Sequence, residues 1–318
     1  MTDAPFSLAG KKVWVAGHRG MVGAAVCRRL ASEACEVLTV PRTTLDLTRQ
    51  AEVEDWLAAH KPDVVFLAAA RVGGIHANNT HPAEFIRDNL AIETNVIHGA
   101  WKAGAAKLLF LGSSCIYPRM APQPMPEEAL LTGPLEPTNE WYAIAKIAGI
   151  KMCQAYRKQY GCDFISAQPT NLYGIGDNFD LEASHVIPAL MAKAHMAKTA
   201  GAKTMPVWGS GTPKREFLFV DDLADALVFL IKAYSGDMPI NIGSGQERTI
   251  REIAETIADV VGFSGTLTFD ATRPDGTPRK LVDTTRLDGM GWRAQTPLRD
   301  GLARAYGWYL ENMTGGGV

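Results

Sequence analysis

The sequence predicts an α/β fold in which a doubly wound parallel sheet is followed by a smaller α/β lobe. In the first half, short apolar runs alternate with segments of helical length. Several of these runs are apolar at nearly every position, which is typical of strands covered by helices on both faces. The connections are short, so we expect β-α-β units with right-handed crossovers.

The elements of the first half follow in a regular order. The first strand is a short apolar run, and a helix begins a few residues after it. The third strand is an almost unbroken apolar run, which suits the interior of a parallel sheet. In chain order, strands are predicted at Lys12–Ala16, Glu36–Val40, Asp63–Ala68, Lys107–Gly112 and Asp163–Ala167, and helices at Met21–Ser32, Gln50–His60, Pro82–Ala103 and Asn139–Tyr160.

The second half is less regular, because glycine, proline and charged residues mix with short elements. We predict a Rossmann domain over residues 1–171, with a return to it at roughly 215–245, and a ligand-binding lobe over 172–318. The glycine-rich end, 314–318, is expected to be mobile. Helices are predicted here at Val186–Lys198 and Thr249–Val261, and strands at Phe217–Val220 and Pro239–Ile242.

Composition argues against several classes of protein. The chain has 318 residues, of which 47% are hydrophobic and 21% charged, and its formal net charge is -2. This charge favours neither nucleic acid nor an anionic membrane as a partner. The start of the chain does not resemble a signal peptide, and no apolar run is long enough to span a bilayer. Five cysteines without a Cys-x-x-Cys pair predict neither disulfides nor a metal site and fit a reducing cytoplasm.

A glycine-rich loop lies directly after the first strand and begins the first helix. Its spacing, Gly-x-x-Gly-x-x-Gly, permits a tight turn and a close approach of backbone to a ligand. The helix N-terminus then offers amides and a partial positive charge to a pyrophosphate. The alternative is a turn that only packs the helix on the strand. The residues predicted to bind a dinucleotide are Gly17, Arg19, Gly20, Met21, Val22 and Gly23.

The end of the second strand indicates which dinucleotide is bound. NAD-preferring sites usually place an acidic residue there, against the ribose 2′-hydroxyl. This strand ends in Thr39-Val-Pro-Arg42, without a carboxylate. Arg42 and Arg19 are placed to bracket a 2′-phosphate through charge-assisted hydrogen bonds. We therefore predict NADP(H); the alternative is that both arginines are only solvated.

Tyr142 and Lys146 are four residues apart in the predicted helix and share one of its faces. A lysine there is expected to lower the pKa of the phenol and help it pass a proton to a carbonyl oxygen. Alone, a Tyr-x-x-x-Lys match is weak, because an exposed helical pair is the common explanation. Here it follows a glycine-rich loop and a strand that ends in two serines, which favours a catalytic pair.

Hydroxyl groups at the C-terminal end of the fourth strand should face the ligand crevice. We predict that Ser113 hydrogen-bonds a substrate carbonyl, while Tyr142 donates a proton as hydride arrives at carbon. Lys146 would bind the nicotinamide ribose. Capping of the strand is the alternative role for the serines. The strand-end residues predicted to contact the cofactor are Leu111, Gly112, Ser113 and Ser114.

Together these motifs resemble the extended short-chain dehydrogenase/reductases, which act on nucleotide sugars, and the likeness runs through almost the whole chain. The sharper strings resemble the GDP-sugar 3,5-epimerase/4-reductases of that family. The resemblance implies NADPH-dependent epimerisation and reduction of GDP-4-keto-6-deoxymannose. Another reductase or epimerase of the family is the first alternative, and a non-catalytic dinucleotide sensor is the second. The strings begin at Ala16, Leu111, Pro169, His185 and Arg273 and end at Gly23, Pro118, Gly174, Leu190 and Lys280.

The resemblance also gives roles to Cys115 and His185. From the residues alone, Cys115 is a small buried side chain and His185 the start of a helix. In the implied reaction, a ketone at C4 acidifies the hydrogens at C3 and C5, and inversion needs a base on one face and an acid on the other. The resemblance makes Cys115 the base and His185 the acid, and places His185 near the cofactor. Cys115-Ile116 stands where a related dehydratase would carry carboxylates, which argues against dehydration.

The second lobe is expected to hold the GDP part of the substrate. The resemblance implies Lys193 and Arg215 as cations for the diphosphate and Trp208 as a platform for the nucleotide. Asp275 would bind a ribose or a base edge, and Asn171 would lie near the sugar and diphosphate. The alternatives are a core tryptophan at Trp208 and a turn residue at Asp275.

Two residues depart from the family pattern. Arg71 stands where lysine is expected, and Phe219 stands where histidine is usual. Either change could alter the affinity for the nucleotide sugar. Relatives tend to be homodimers joined through their long helices, including the one that carries Tyr142, so the resemblance implies a homodimer.

Overall fold

The structure is a computed structural model that describes residues 5–181, 184–273 and 275–313. The glycine-rich end that is expected to be mobile lies outside these residues. The described strands are β1 (Lys12–Ala16), β2 (Glu36–Leu38), β3 (Val64–Leu67), β4 (Lys107–Leu111), β5 (Asp163–Pro169), β6 (Asn171–Tyr173), β7 (Thr204–Trp208), β8 (Lys214–Phe219), β9 (Ile240–Ile242), β10 (Glu247–Thr249), β11 (Thr266–Asp270) and β12 (Arg279–Lys280). The α-helices are α1 (Met21–Leu30), α2 (Gln50–His60), α3 (Ile75–Thr80), α4 (Pro82–Lys102), α5 (Glu140–Tyr160), α6 (Val186–Thr199), α7 (Val220–Ala233), α8 (Ile250–Val261), α9 (Thr285–Gly289) and α10 (Leu298–Met313). Short 3₁₀ helices lie at Ser114–Ile116, Glu127–Ala129 and Pro137–Asn139.

Six strands form one parallel sheet in the order β2-β1-β3-β4-β5-β9. Because β1 lies between β2 and β3, the strand order reverses there. In doubly wound sheets the ligand crevice opens at this reversal, beyond the carboxyl ends of the strands. The predicted fold class is confirmed, and both the glycine-rich loop after β1 and the serines after β4 lie at this edge.

Side chains of the central strands alternate between two cores. In β1, Val13 and Val15 pack with α1 and α7 on one face of the sheet. Trp14 and Ala16 pack with α2, α4 and α5 on the other face. All four side chains are buried. Because both faces of β1 are covered, each of these four positions favours an apolar residue, which explains why the run is continuously apolar.

The chain returns to the first sheet after leaving it. The helix α7 packs against α1, where Asp221 pairs with Arg28 at 2.5 Å and Asp225 pairs with Arg29 at 2.6 Å. The strand β9 then adds to the free side of β5 in parallel register. These elements lie within or close to the predicted return at 215–245. The boundary between residues 171 and 172 stays a prediction.

The second lobe has its own core, formed mainly by α6, α8 and α10 against β7 and β8. Its strands form two small sheets: β8 pairs with β6, β10 and β12, while β7 pairs with β11. The helix α8 begins with a capping box, in which Thr249 and Glu252 each accept a hydrogen bond from the other's backbone N–H. The strand β12, which pairs with β8, reaches the carboxyl edge of the large sheet, where its Lys280 contacts Cys115 after β4.

Several predicted boundaries differ from the structure. The first helix ends at Leu30, because residues 31–35 form turns. The second strand ends at Leu38, since only three of its residues pair with β1. The strand expected at 217–220 spans Lys214–Phe219, and Val220 already begins α7. Within the described residues, every helix is too short or too polar to cross a bilayer.

Candidate active site

One cleft of about 1200 Å³ opens along the carboxyl edge of the large sheet and continues beneath the second lobe. All the residues that the sequence predicts for cofactor, catalysis and substrate line this cleft. They come from loops after β1, β2, β4 and β5, from α5, and from the second lobe. The fold therefore brings the predicted residues together, while their individual roles stay predictions.

The three glycines of the first loop differ in what they require. Gly17 has a φ of +94°, and a Cβ there would lie 2.7 Å from the backbone of Ala69. A Cβ on Gly23 would lie 2.1 Å from the carbonyl oxygen of Gly17. Gly20 has an ordinary φ of -76°, and a Cβ on it would meet only normal contacts. Folding therefore needs Gly17 and Gly23, whereas Gly20 leaves open space at the start of α1.

The start of α1 is suited to an anion. No side chain caps it, and its first turn contains no acidic residue. The backbone amides of Met21 and Val22 therefore lie at an uncapped N-terminus that lines the cleft. Arg19 and Arg42 are exposed at the same end of the cleft. Within the described ranges, neither arginine has an ion-pair partner, so both are available to a phosphate.

Ser113 is held rigidly at the end of β4. Its backbone N–H donates to the side-chain oxygen of Gln168 at 2.9 Å, and Gln168 is fully buried in β5. Its hydroxyl oxygen accepts a hydrogen bond of 3.2 Å from the backbone N–H of Cys115. The serine thus begins the 3₁₀ helix that carries Cys115, and its hydroxyl faces the cleft. Both the capping role and the predicted ligand-binding role are compatible with this position.

Tyr142 and Lys146 share one face of α5, as their spacing predicts, but the expected lowering of the Tyr142 pKa is wrong. Burial raises the pKa of the phenol, and the charges of Cys115 and Glu93 raise it further, while a hydrogen bond with Ser113 opposes the rise. Lys146 does not counter this increase because Glu93 takes up its charge: Nζ lies 3.0 Å from a carboxylate oxygen of Glu93. The phenol is therefore a proton donor throughout the neutral range.

Cys115 has a cationic neighbour that the sequence analysis did not assign. The Nζ of Lys280, at the end of β12, lies 3.5 Å from the sulfur. Burial raises the pKa of the thiol, but Lys280 and hydrogen bonds with Ser113 and Asn139 outweigh it, so the net pKa lies below the ordinary value. A lowered pKa favours the thiolate, which is the form that can remove a proton.

His185 lies at the start of α6 and is exposed to the cleft. The walls of the cleft shield its imidazole from water, which lowers the pKa of the ring, and the charge of Lys280 lowers it further. One ammonium thus acts on both the Cys115 thiol and the His185 ring. It favours the thiolate and disfavours the imidazolium.

The far end of the cleft is built around Trp208. This ring is 54% exposed, so it is not a core residue. Lys193 Nζ lies 4.3 Å from the ring centroid, and the guanidinium carbon of Arg273 lies 4.9 Å from it. Burial and the nearby Arg273 lower the pKa of Lys193. This group offers two cations and an aromatic face to one ligand.

Asp275 and Asn171 already have partners in the protein. The Asp275 carboxylate accepts hydrogen bonds from the backbone N–H and the hydroxyl of Ser210, at 2.7 and 2.8 Å. The Asn171 side chain donates to the backbone carbonyl of Glu216 at 2.9 Å. Arg215 lies beside Lys280 in the pairing of β8 with β12. The Asp275 carboxylate therefore joins two segments that are 65 residues apart, which is not the local turn role given as the alternative, and its ligand role stays a prediction.

Several residues around the site have roles that were not predicted from the sequence. Arg273 and Lys280 are the first and last residues of a string that resembles the family. A signal was therefore present, but no role was predicted from it. Gln168 is a polar residue inside an apolar strand, which is a usable signal for a buried hydrogen bond. Glu93 and Asn139 carry no local signal, because their roles depend on residues that are distant in sequence or in a different element.

The two departures from the family pattern lie in different surroundings. Arg71 lines the cleft and forms ion pairs with Glu84 and Asp88 of α4. Phe219 is buried in the second core, where its ring lies 5.6 Å from that of Tyr173. Phe219 is not among the residues that line the cleft. Of the two, only Arg71 is placed to meet a ligand.

Comparison with known proteins gives consistent results. The family described as NAD dependent epimerase/dehydratase matches residues 13–243. A GDP-L-fucose synthase of Sinorhizobium fredii is 61% identical over 97% of this chain and 98% of its own. GDP-L-fucose synthase 1 of Arabidopsis thaliana is 62% identical over 95% of this chain and 94% of its own. The solved structure of a GDP-L-fucose synthetase from Naegleria fowleri bound to NADP is 28% identical, with a TM-score of 0.91 and 98% of each chain covered. The resemblance read from the motifs is confirmed.

Proposed function

Because the chain belongs to the NAD dependent epimerase/dehydratase family, we propose that it is an enzyme that converts GDP-4-keto-6-deoxy-D-mannose to GDP-L-fucose with NADPH. The observation that carries the proposal is the meeting of a proton-donating phenol, a serine hydroxyl and a thiol–imidazole pair on one cleft. The dinucleotide end of the cleft fits NADP(H), since the uncapped start of α1 adjoins two unpaired arginines.

The first stage inverts the sugar at C3 and at C5. The Cys115 thiolate removes a proton from one face of the carbon next to the ketone, and His185 returns a proton to the other face. The electrons of the broken C–H bond pass to the C4 oxygen as an enolate, which Ser113 and Tyr142 stabilise by hydrogen bonds. Lys280 lowers the pKa of the thiol and so favours its reactive form. Between the two inversions the thiol gives up its proton and the imidazole regains one by exchange with solvent, and the same pair then acts at the second carbon, because both carbons adjoin the same ketone.

The second stage reduces the ketone. NADPH, when bound, supplies a hydride to C4. Ser113 holds the carbonyl oxygen, and Tyr142 gives it a proton as negative charge develops there. Lys146 and the amides at the start of α1 hold the dinucleotide, while Trp208, Lys193, Arg273 and Arg215 hold the GDP end. The carbonyl is the electron acceptor in both stages, so one cleft can serve two reactions.

The proposal is tested by incubating the protein with NADPH and GDP-4-keto-6-deoxymannose and identifying the product by NMR. We expect NADPH oxidation and a product inverted at both C3 and C5. A product reduced at C4 without inversion would assign the chain to another reductase of the family. Absence of any NADPH oxidation would contradict the proposal.

Arg42 is proposed to contact the 2′-phosphate of the cofactor. Changing Arg42→Ala should weaken NADPH binding by roughly 10- to 100-fold, the loss expected when a charged hydrogen-bond donor is removed. Binding of NADH, which has no 2′-phosphate, should change little. The measurement is a fluorescence titration with both cofactors, and Arg49→Ala is the control because Arg49 is exposed outside the cleft. Equal losses for both cofactors would contradict this role.

We also propose that the protein is a cytoplasmic homodimer joined through α4 and α5. Trp141 and Ile144 are 43% and 36% exposed, and together with Ala148 and Ala155 they form an apolar stripe on α5. Its five cysteines are free thiols, which suits a reducing compartment. Sedimentation equilibrium should give twice the chain mass of 34.4 kDa. Ile144→Asp should shift the protein towards the monomer, and a monomeric parent protein at micromolar concentration would refute this arrangement.

A further inference from the structure

The helix α4 directs one acidic side chain, Glu93, at the lysine of the catalytic helix. Glu93 and Lys146 are each 2% exposed, and Glu93 Oε1 lies 3.0 Å from Lys146 Nζ. Lys146 lines the cleft, whereas Glu93 does not. The carboxylate therefore lies behind the ammonium, on the side away from the ligand.

Among the residues that the structure describes, Glu93 and Lys146 form an ion pair with each other and with no other residue. Within the described part of the chain, neither carboxylate oxygen of Glu93 has a hydrogen bond of good geometry, so its contact with Lys146 is purely ionic. The ammonium also lies 4.7 Å from the ring centroid of Phe110 and 5.9 Å from that of Tyr142. Removing one partner of such a pair leaves an uncompensated buried charge, which is strongly unfavourable.

We propose that Glu93 is a positioning residue. Its carboxylate holds the Lys146 ammonium beside the Tyr142 phenol and at the ribose site. This inference rests on the proposed function, in which Lys146 and Tyr142 act together in reduction. It extends the site into α4, the helix that packs most extensively against α5. The Tyr142–Lys146 pair is then held in place by the buried carboxylate of Glu93.

The charge of Glu93 has a predictable effect on proton binding. A nearby negative charge makes every neighbouring group hold its proton more firmly. Burial raises the pKa of Glu93 itself, while the charge of Lys146 opposes this rise and favours the carboxylate. The titratable groups around it are Tyr142, Lys146 and Cys153 on α5, and Cys115 faces Tyr142 from the loop after β4.

Glu93→Gln removes the negative charge and keeps the shape. Reduction needs the Tyr142 phenol in its protonated form, and without the charge of Glu93 the phenol should lose its proton at a lower pH. The alkaline limb of the pH profile of kcat should therefore move down by about one pH unit or more, the range expected for a charge at this distance. The KM for the keto sugar should change little, because Glu93 lies outside the cleft.

A graded series separates this role from simple stabilisation. Glu93→Asp keeps the charge but moves it away from Lys146 by one methylene group. The alkaline limb of its kcat profile should therefore move in the same direction as in Glu93→Gln, but by a smaller amount. Val96→Ala is the control, because it removes buried carbon from the same helix without changing any charge. We expect this control to lower the Tm while leaving the alkaline limb in place. A limb unmoved in both Glu93 variants would overturn the proposal.

Cofactor binding provides a second readout that does not depend on the sugar substrate. The Kd of NADPH for the parent protein and for Glu93→Gln is measured from pH 6 to pH 10. We expect the variant to bind NADPH more weakly than the parent, since Glu93 no longer holds the Lys146 ammonium at the ribose site. If the parent does not turn over the keto sugar but Glu93→Gln still binds NADPH more weakly than the parent, the proposed function fails while the role of Glu93 stands. Superimposable binding curves would remove that role.

Discussion

Tyr142→Phe should lower the rate of NADPH-dependent reduction by roughly 10²- to 10⁴-fold, the contribution typical of a positioned proton donor. The substitution removes one hydroxyl and keeps the ring, so packing around α5 is preserved. Burial raises the pKa of Tyr142, so the phenol of the parent protein carries its proton across the neutral range. Phenylalanine has no proton to give, and the C4 oxygen would have to take one from water.

The measurement is a single-turnover assay of NADPH oxidation with the keto sugar. The matched control is Tyr156→Phe, a second phenol on α5 that bonds to His98 at 2.7 Å and lies outside the cleft. We expect the control to react at the parent rate and both variants to bind NADPH normally. A Tyr142→Phe enzyme that reduces the sugar at full speed would exclude Tyr142 as the donor.

Cys115→Ser should slow the exchange of sugar hydrogens with solvent at C3 and C5 by roughly 10²- to 10⁴-fold. A serine hydroxyl does not ionise in the accessible pH range, so the base is lost while the size of the side chain is nearly kept. The assay follows deuterium entry from D₂O by NMR. Cys162→Ser, a half-buried thiol outside the cleft, is the control. NADPH binding should be unaffected, and undiminished exchange would refute the assignment.

The pH dependence of the same exchange reports the cation beside the thiol. Burial raises the pKa of Cys115, and Lys280 lowers it. Burial lowers the pKa of His185, and Lys280 lowers it further. Its removal in Lys280→Met makes both groups hold their protons more firmly. The bell-shaped profile of exchange should therefore move as a whole to higher pH. Lys280→Arg keeps the charge and should leave the profile close to that of the parent.

Local patterns were sufficient for the fold class, and together with the family resemblance they gave residues that all line the cleft, although not every residue that lines it. The apolar run of β1 gave a strand buried on both faces, and the four-residue spacing of Tyr142 and Lys146 gave their shared face. These predictions succeed because they depend on periodicity within one element. The end of α1 at Leu30 was missed, since it depends on turns in the residues that follow.

The electrostatics of the site could not be read from the sequence. Tyr142 was expected to have a lowered pKa because Lys146 is near, yet Glu93, more than fifty residues before Lys146, takes up that charge. Lys280 reaches Cys115 across 165 residues of chain. Which charges meet inside a folded protein depends on tertiary packing between distant segments, and a local pattern contains no information about it.

The return of α7 and β9 to the large sheet ties the two parts of the enzyme into one cooperative unit. A gene truncated just after β5 would encode a sheet whose last strand has an open edge and whose α1 face lacks its covering helix. Open edges of this kind recruit other strands and aggregate. The dinucleotide half therefore cannot be shuffled between proteins as a simple N-terminal cassette, and recombination would have to exchange both stretches together.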